Sequence, residues 1–208
     1  MADHSKIAVV EGQWFEKSNL SMRRIFDLMC ESEVENINGY HYEMAFSKEA
    51  LKEALPRLIG KKHISYIFLG QHGDCKNKLI LPNGSSVSIK NLGKMIDEKQ
   101  KSKFRLRGLH LSSCGLLSKG NAILLLESDK IDWVSGYENE CDWLESTLID
   151  TLFASYLYNE DESSSRKQIE EVAKEVWRLA KGMAKDAGFV IYRKKGDGVV
   201  RLTPSVSK

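Results

Sequence analysis

Ile64-Ser65-Tyr66-Ile67-Phe68-Leu69-Gly70-Gln71-His72-Gly73-Asp74 is the strongest strand signal in the chain, and it runs unbroken into a histidine flanked by glutamine and glycine. An apolar run this short, rich in β-branched and aromatic residues and closed by glycine, marks a strand buried on both faces. A second stretch repeats the plan: Leu106-Arg107-Gly108-Leu109-His110-Leu111 leads into Ser112-Ser113-Cys114-Gly115. Two buried strands that each end in a reactive side chain followed by glycine set the frame for the rest.

Working outward, short apolar runs alternate with helical patterns, the signature of a mostly parallel sheet with helices on its faces. Residues 7–10 read as a first buried strand, followed by a helical stripe of Met22, Ile25, Phe26 and Met29, then a strand near 42–46. Ser47 is placed to cap a helix that turns Leu51, Leu55, Leu58 and Ile59 inward, with Pro56 expected to kink it or end it early. Residues 78–81 and 85–89 flank Pro82-Asn83-Gly84 and read as a hairpin, because Asn-Gly supplies the positive φ of a tight turn. A helix with Leu92, Met95 and Ile96 inward follows, and beyond Cys114 come a buried helix over 122–126 and a strand over 131–137.

The C-terminal part carries a stripe of Leu148, Ile149, Leu152, Phe153, Tyr156 and Leu157, better explained as core than as a ligand box. An acidic, serine-rich stretch over 159–165 interrupts it and reads as a solvated loop or a cleavable linker. One final helix is expected from about 166 to 187, ended by Gly188, before a closing hairpin of 189–192 and 199–202. The whole is expected to form one domain over 1–208, with a core over about 5–160 and the C-terminal helix and hairpin over about 163–203.

Composition narrows the function. The 31 basic and 29 acidic residues leave a net charge of +2, so nothing demands a nucleic-acid or anionic-membrane partner. The N-terminus does not read as a signal peptide, and no window is apolar enough to span a bilayer. Cys30, Cys75, Cys114 and Cys141 lack the spacing of a disulfide framework or zinc ribbon, which points to a cytoplasmic protein with reduced thiols.

In open α/β sheets, functional groups collect beyond the carboxyl ends of the strands. His72 and Cys114 both sit there, and if their strands are neighbours the two side chains face each other. A thiolate attacks in acyl transfer, and an imidazole can take the thiol proton and return one to the leaving amine. Gly73 lets the backbone turn so that its N–H, with that of Cys114, can bind an oxyanion. Ser112 and Ser113 keep the approach open.

The plan strand-Gln-His-Gly-Asp, then strand-Leu-Ser-Ser-Cys-Gly, resembles the caspase-like cysteine peptidases, and is most similar to their bacterial CHAT-type members. Trp133-Val134-Ser135-Gly136-Tyr137, Asp142-Trp143 and the aromatic helix after them add to the likeness, which spans roughly residues 5–160. Two positions depart from the pattern: Gln71 replaces a small residue, and Leu116-Leu117 replace a polar loop. The resemblance implies a three-layer α/β sandwich, His72 as base, Cys114 as nucleophile, Gly73 as an oxyanion-hole amide, and no cofactor or metal. It also implies Asp142 as a carboxylate in the pocket for the residue before the scissile bond, favouring a basic side chain through a bidentate contact. Protein or peptide substrates, control by a regulatory protein partner, and a bacterial defence or stress setting follow from the same likeness.

Blander readings stand beside this one. A lone histidine near a turn is usually a surface residue, and a lone strand-end cysteine a small buried hydrophobe. His110 reads as a packed or supporting histidine, Cys30 as packing, Cys75 as a loop residue, and Cys141 has no assigned role. A catalytically inactive caspase-like binding module remains an alternative. An anion-binding flavodoxin-like domain would need a glycine-rich phosphate loop, which the sequence lacks.

Overall fold

A computed structural model of the chain describes residues 5–17, 20–98, 105–159, 165–196 and 198–204. Most of the acidic, serine-rich stretch (160–164) and Asp197 of the closing turn lie outside the described residues.

Strand β1 (Ile7–Glu11) is followed by α1 (Arg23–Val34), β2 (His41–Met44), α2 (Lys48–Ile59) and β3 (Tyr66–Gly70). Three short strands come next, β4 (His72–Gly73), β5 (Lys78–Ile80) and β6 (Ser86–Ser88), leading into α3 (Ile89–Asp97). Then come β7 (Leu106–Ser112), α4 (Lys119–Leu126), β8 (Ile131–Tyr137) and α5 (Trp143–Asn159). The chain closes with α6 (Ser165–Leu179), α7 (Lys181–Asp186), β9 (Phe189–Lys195) and β10 (Gly198–Arg201).

Seven strands form one sheet in the order β10-β9-β8-β7-β3-β1-β2. The pairs from β2 to β8 are parallel, and β9 and β10 add antiparallel to β8, so the C-terminal hairpin extends the same sheet. Alternation along β1 shows how both faces are covered: Ala8 and Val10 join one core with α2, α3 and α4, whereas Ile7 and Val9 join the other with α1, α5, α6 and α7. Because successive strand side chains point to opposite faces, a strand covered on both sides must be apolar throughout, as β1 and β3 nearly are.

Several expectations are corrected. Pro56 does not end α2, which continues to Ile59; Ser47 caps its start by accepting from the Ala50 N–H at 3.2 Å. The stripe on α5 is narrower than its apolar letters suggest, since Ile149, Phe153 and Leu157 are buried while Leu148 is 44% exposed. The final helix is two: Ala180 leaves helical geometry at φ −111°, ψ 29°, and α7 swings to contact α5 and β9. The predicted hairpin forms but is part of a three-stranded sheet, because His72 and Gly73 pair with Ile80 and Leu79. Among the described residues, no helix is long and apolar enough to cross a membrane.

Candidate active site

The two central strands place His72 and Cys114 side by side. β3 and β7 are parallel neighbours with Gly70 opposite Ser112, so two further residues on each strand reach His72 and Cys114 at the same edge. His72 is then held by its own short pairing with β5. Gly73 lies so close to the nucleophile loop that a Cβ there would meet the Cys114 carbonyl oxygen at 2.2 Å. Gly115 adopts φ +58°, a left-handed conformation that glycine takes without strain, and its N–H donates to the Asn139 carbonyl at 2.7 Å.

His72, Cys114, Ser112 and Ser113 line one cavity of about 310 Å³, together with Trp14, Phe15, Cys141, Asp142, Trp143 and Ser146. The hydroxyls of Ser112 and Ser113 and the Nε1 of Trp143 are buried without a hydrogen-bond partner among the described residues.

The His72 ring is anchored from the β1–α1 loop. Its Nε2 lies 2.5 Å from the Trp14 carbonyl oxygen, and since a carbonyl only accepts, Nε2 carries the hydrogen and Nδ1 is the basic atom. Trp14 also packs edge-on against the imidazole at 5.3 Å between ring centres. Its indole is fixed in turn by Glu11, a fully buried carboxylate at the end of β1. Ser21 and Tyr42 donate to the second Glu11 oxygen at 2.6 and 2.7 Å, and the Met22 N–H donates to the first at 2.7 Å. This chain of contacts orients the base and does not include Cys114; no direct hydrogen bond joins the His72 ring to the Cys114 sulfur.

The sulfur has a different neighbour. Cys114 Sγ lies 3.4 Å from Cys141 Sγ and 3.4 Å from the Cys141 carbonyl oxygen. A hydrogen bond from the Cys141 thiol, helped by the nearby His72 ring, outweighs burial and pulls the Cys114 thiol down to about 6. The same hydrogen bond, with burial, pushes the Cys141 thiol up. Burial likewise raises Cys75, and pushes Cys30 up to about 12, so Cys114 alone of the four is drawn toward its thiolate. Alkylation of Cys114 by iodoacetamide is therefore expected to speed up with rising pH through a midpoint about 6, because the thiolate is the attacking form. Cys141→Ala should move that midpoint upward; a midpoint left in place would show that Cys141 does not stabilise the thiolate.

No family model matches the sequence, and no curated protein matches it. Among the solved structures that share its fold are two cysteine proteases. One is a secreted C11 cysteine protease from Bacteroides thetaiotaomicron in complex with an irreversible peptide inhibitor; the other is a secreted C11 cysteine protease from the same organism, iotapain. Each superposes with a TM-score of 0.53 at 12% identity, covering 91% of this chain and 66% of that one. The chain has a caspase-like fold. It spans just under two thirds of the length of those proteases.

Within the caspase-like fold, all four residues singled out in the sequence meet at one edge, but not all in the predicted manner. Asp142 lines the cavity yet is exposed rather than buried. Its Oδ1 accepts from the Leu144 and Glu145 N–H groups at 2.8 and 3.3 Å, so it caps α5 as well as facing the cavity. Gln71 is buried and turned away, its amide donating to the Ala45 carbonyl at 3.2 Å, while Leu116 and Leu117 are core residues. His110 is buried as expected, with Nε2 2.6 Å from Asp150 and Nδ1 2.7 Å from Ser135. Sequence reading missed Glu11 and Trp14, left Cys141 without a role, and noted Trp143 only for its part in the family likeness. Only Glu11 left a signal, a carboxylate closing an otherwise apolar strand.

Proposed function

We propose that the chain is a cysteine endopeptidase in which Cys114 is the nucleophile and His72 the general base. The observation that carries this reading is the single cavity lined by both an anchored imidazole and a thiol drawn toward its thiolate. His72 Nδ1 takes the Cys114 thiol proton, the sulfur attacks the peptide carbonyl carbon, and the N–H groups of Gly73 and Cys114 take up the negative charge on its oxygen. The C–N bond then breaks, and His72 gives a proton to the departing amine. Water, deprotonated by His72, splits the thioester and frees the sulfur. Ring nitrogens often tighten onto the nucleophile only when substrate is bound, which fits an imidazole held from behind by Trp14.

Asp142 is the proposed selector for a basic side chain: its Oδ1 caps α5, leaving Oδ2 for a guanidinium or ammonium. The Leu-Ser-Ser-Cys-Gly run supports a CHAT-like enzyme, switched on by a partner protein during bacterial stress or defence, and the spacing of the four cysteines supports a cytoplasmic setting.

An arginyl or lysyl chloromethylketone is expected to label wild-type protein, and neither Cys114→Ala nor His72→Ala at a comparable rate. Asp142→Asn keeps the helix cap and should lose the preference for basic over neutral probes. Labelling that survives Cys114→Ala would overturn the nucleophile. Failure of every probe and of a mixed peptide pool to react would favour a binding module instead.

A further inference from the structure

We propose that Cys114 and Cys141 form a dithiol which hydroperoxides convert reversibly into an intramolecular disulfide, silencing the nucleophile and sparing it from irreversible oxidation. Its consequence for activity rests on the peptidase reading; the disulfide itself does not.

Three observations carry this further. The two sulfurs lie 3.4 Å apart although the residues are 27 positions apart in sequence, so they meet through the fold and not through local chain geometry. Closing to the disulfide length of about 2 Å moves the sulfurs little more than about 1 Å, and Cys141 sits in the loop between β8 and α5 rather than within either element. Both residues also line the open cavity, where a small peroxide can reach Cys114. Neither remaining cysteine fits: Cys30 is fully buried in α1, and the Cys75 thiol faces Glu140 at 3.5 Å. Cys114 is the thiol held nearest to thiolate, and thiolates are the form that peroxides oxidise.

The chemistry closes on two electrons. Cys114 thiolate attacks one oxygen of the hydroperoxide; a sulfur–oxygen bond forms, the oxygen–oxygen bond breaks, and the departing oxygen leaves as alcohol or water with a proton. The Cys141 sulfur then attacks the sulfenic sulfur, its proton leaving with the displaced hydroxide as water. Two thiols and one hydroperoxide become one disulfide, one alcohol or water, and one water. A dithiol reductant reverses the change. Without a neighbouring thiol, a sulfenic acid proceeds to the sulfinic acid, which thiols do not reduce.

The test treats the full chain with hydrogen peroxide, blocks remaining thiols with iodoacetamide and maps the peptides by mass spectrometry. Wild-type protein is expected to yield a Cys114–Cys141 cross-linked peptide, to lose chloromethylketone labelling, and to regain both free thiols and labelling in dithiothreitol. Cys75→Ser should behave the same way. Cys141→Ser should instead accumulate the Cys114 sulfinic acid and stay unlabelled after dithiothreitol. A Cys75–Cys114 cross-link in wild-type protein, or sulfinic acid forming as fast there as in Cys141→Ser, would overturn the proposal. Peptide mapping needs no substrate: cross-linking in a chain that cleaves nothing would count against the peptidase alone, and cleavage without cross-linking against the dithiol alone.

Discussion

Gly73→Ala is expected to lower turnover of an arginyl or lysyl anilide by about 10²–10³-fold, the usual cost of losing one oxyanion donor. The reason is steric. A methyl group on residue 73 would sit 2.2 Å from the Cys114 carbonyl oxygen and 3.4 Å from its nitrogen, and those are backbone atoms that cannot rotate aside. The loop after β3 must then part from the loop after β7, carrying the residue 73 N–H and the imidazole away from the sulfur. Because β3 and β7 themselves remain paired, thermal unfolding should move far less than turnover. Turnover near the wild-type value would remove Gly73 from the oxyanion site.

Asp150→Ala is expected to cost about 1–3 kcal/mol of folding stability, the usual cost of leaving one buried donor unpaired. The Asp150 side chain is 1% exposed and accepts from both His110 Nε2 and the Tyr137 hydroxyl. Removing it strands the His110 Nε2 hydrogen in the apolar layer between the sheet and α5, whereas the Tyr137 hydroxyl keeps the Ser146 carbonyl as an acceptor at 2.8 Å. Tyr137 stands directly behind the site, since its carbonyl accepts from the Leu117 N–H at 3.0 Å just past the nucleophile loop. Urea denaturation measures the change, and a loss under about 1 kcal/mol would show that the network is solvated or dispensable. Asp150→Asn should cost less, because one oxygen still accepts.

The strands that carry the site were legible because burial on both faces leaves an unmistakable apolar run. The tails of β3 and β7 could therefore be read as His72 and Cys114, and parallel pairing in register did the rest. Ser47 as a cap and Asn83-Gly84 as a turn were equally local matters, set by a few adjacent residues. The break at Ala180 and the exposure of Leu148 were not, since each depends on which neighbour the helix meets and not on its own letters.

The sequence by itself determined that a histidine and a cysteine would end two buried strands of an α/β sheet; tertiary structure alone decided what holds each of them. Trp14 reaches His72 across 58 residues and Cys141 reaches Cys114 across 27, both from loops with no periodicity to betray their path. Those contacts exist because parallel strands need crossovers, and every crossover returns a loop to the same edge of the sheet. Which loop residue ends up beside the sulfur depends on the closure of the whole sheet, a property that no single stretch of the chain contains.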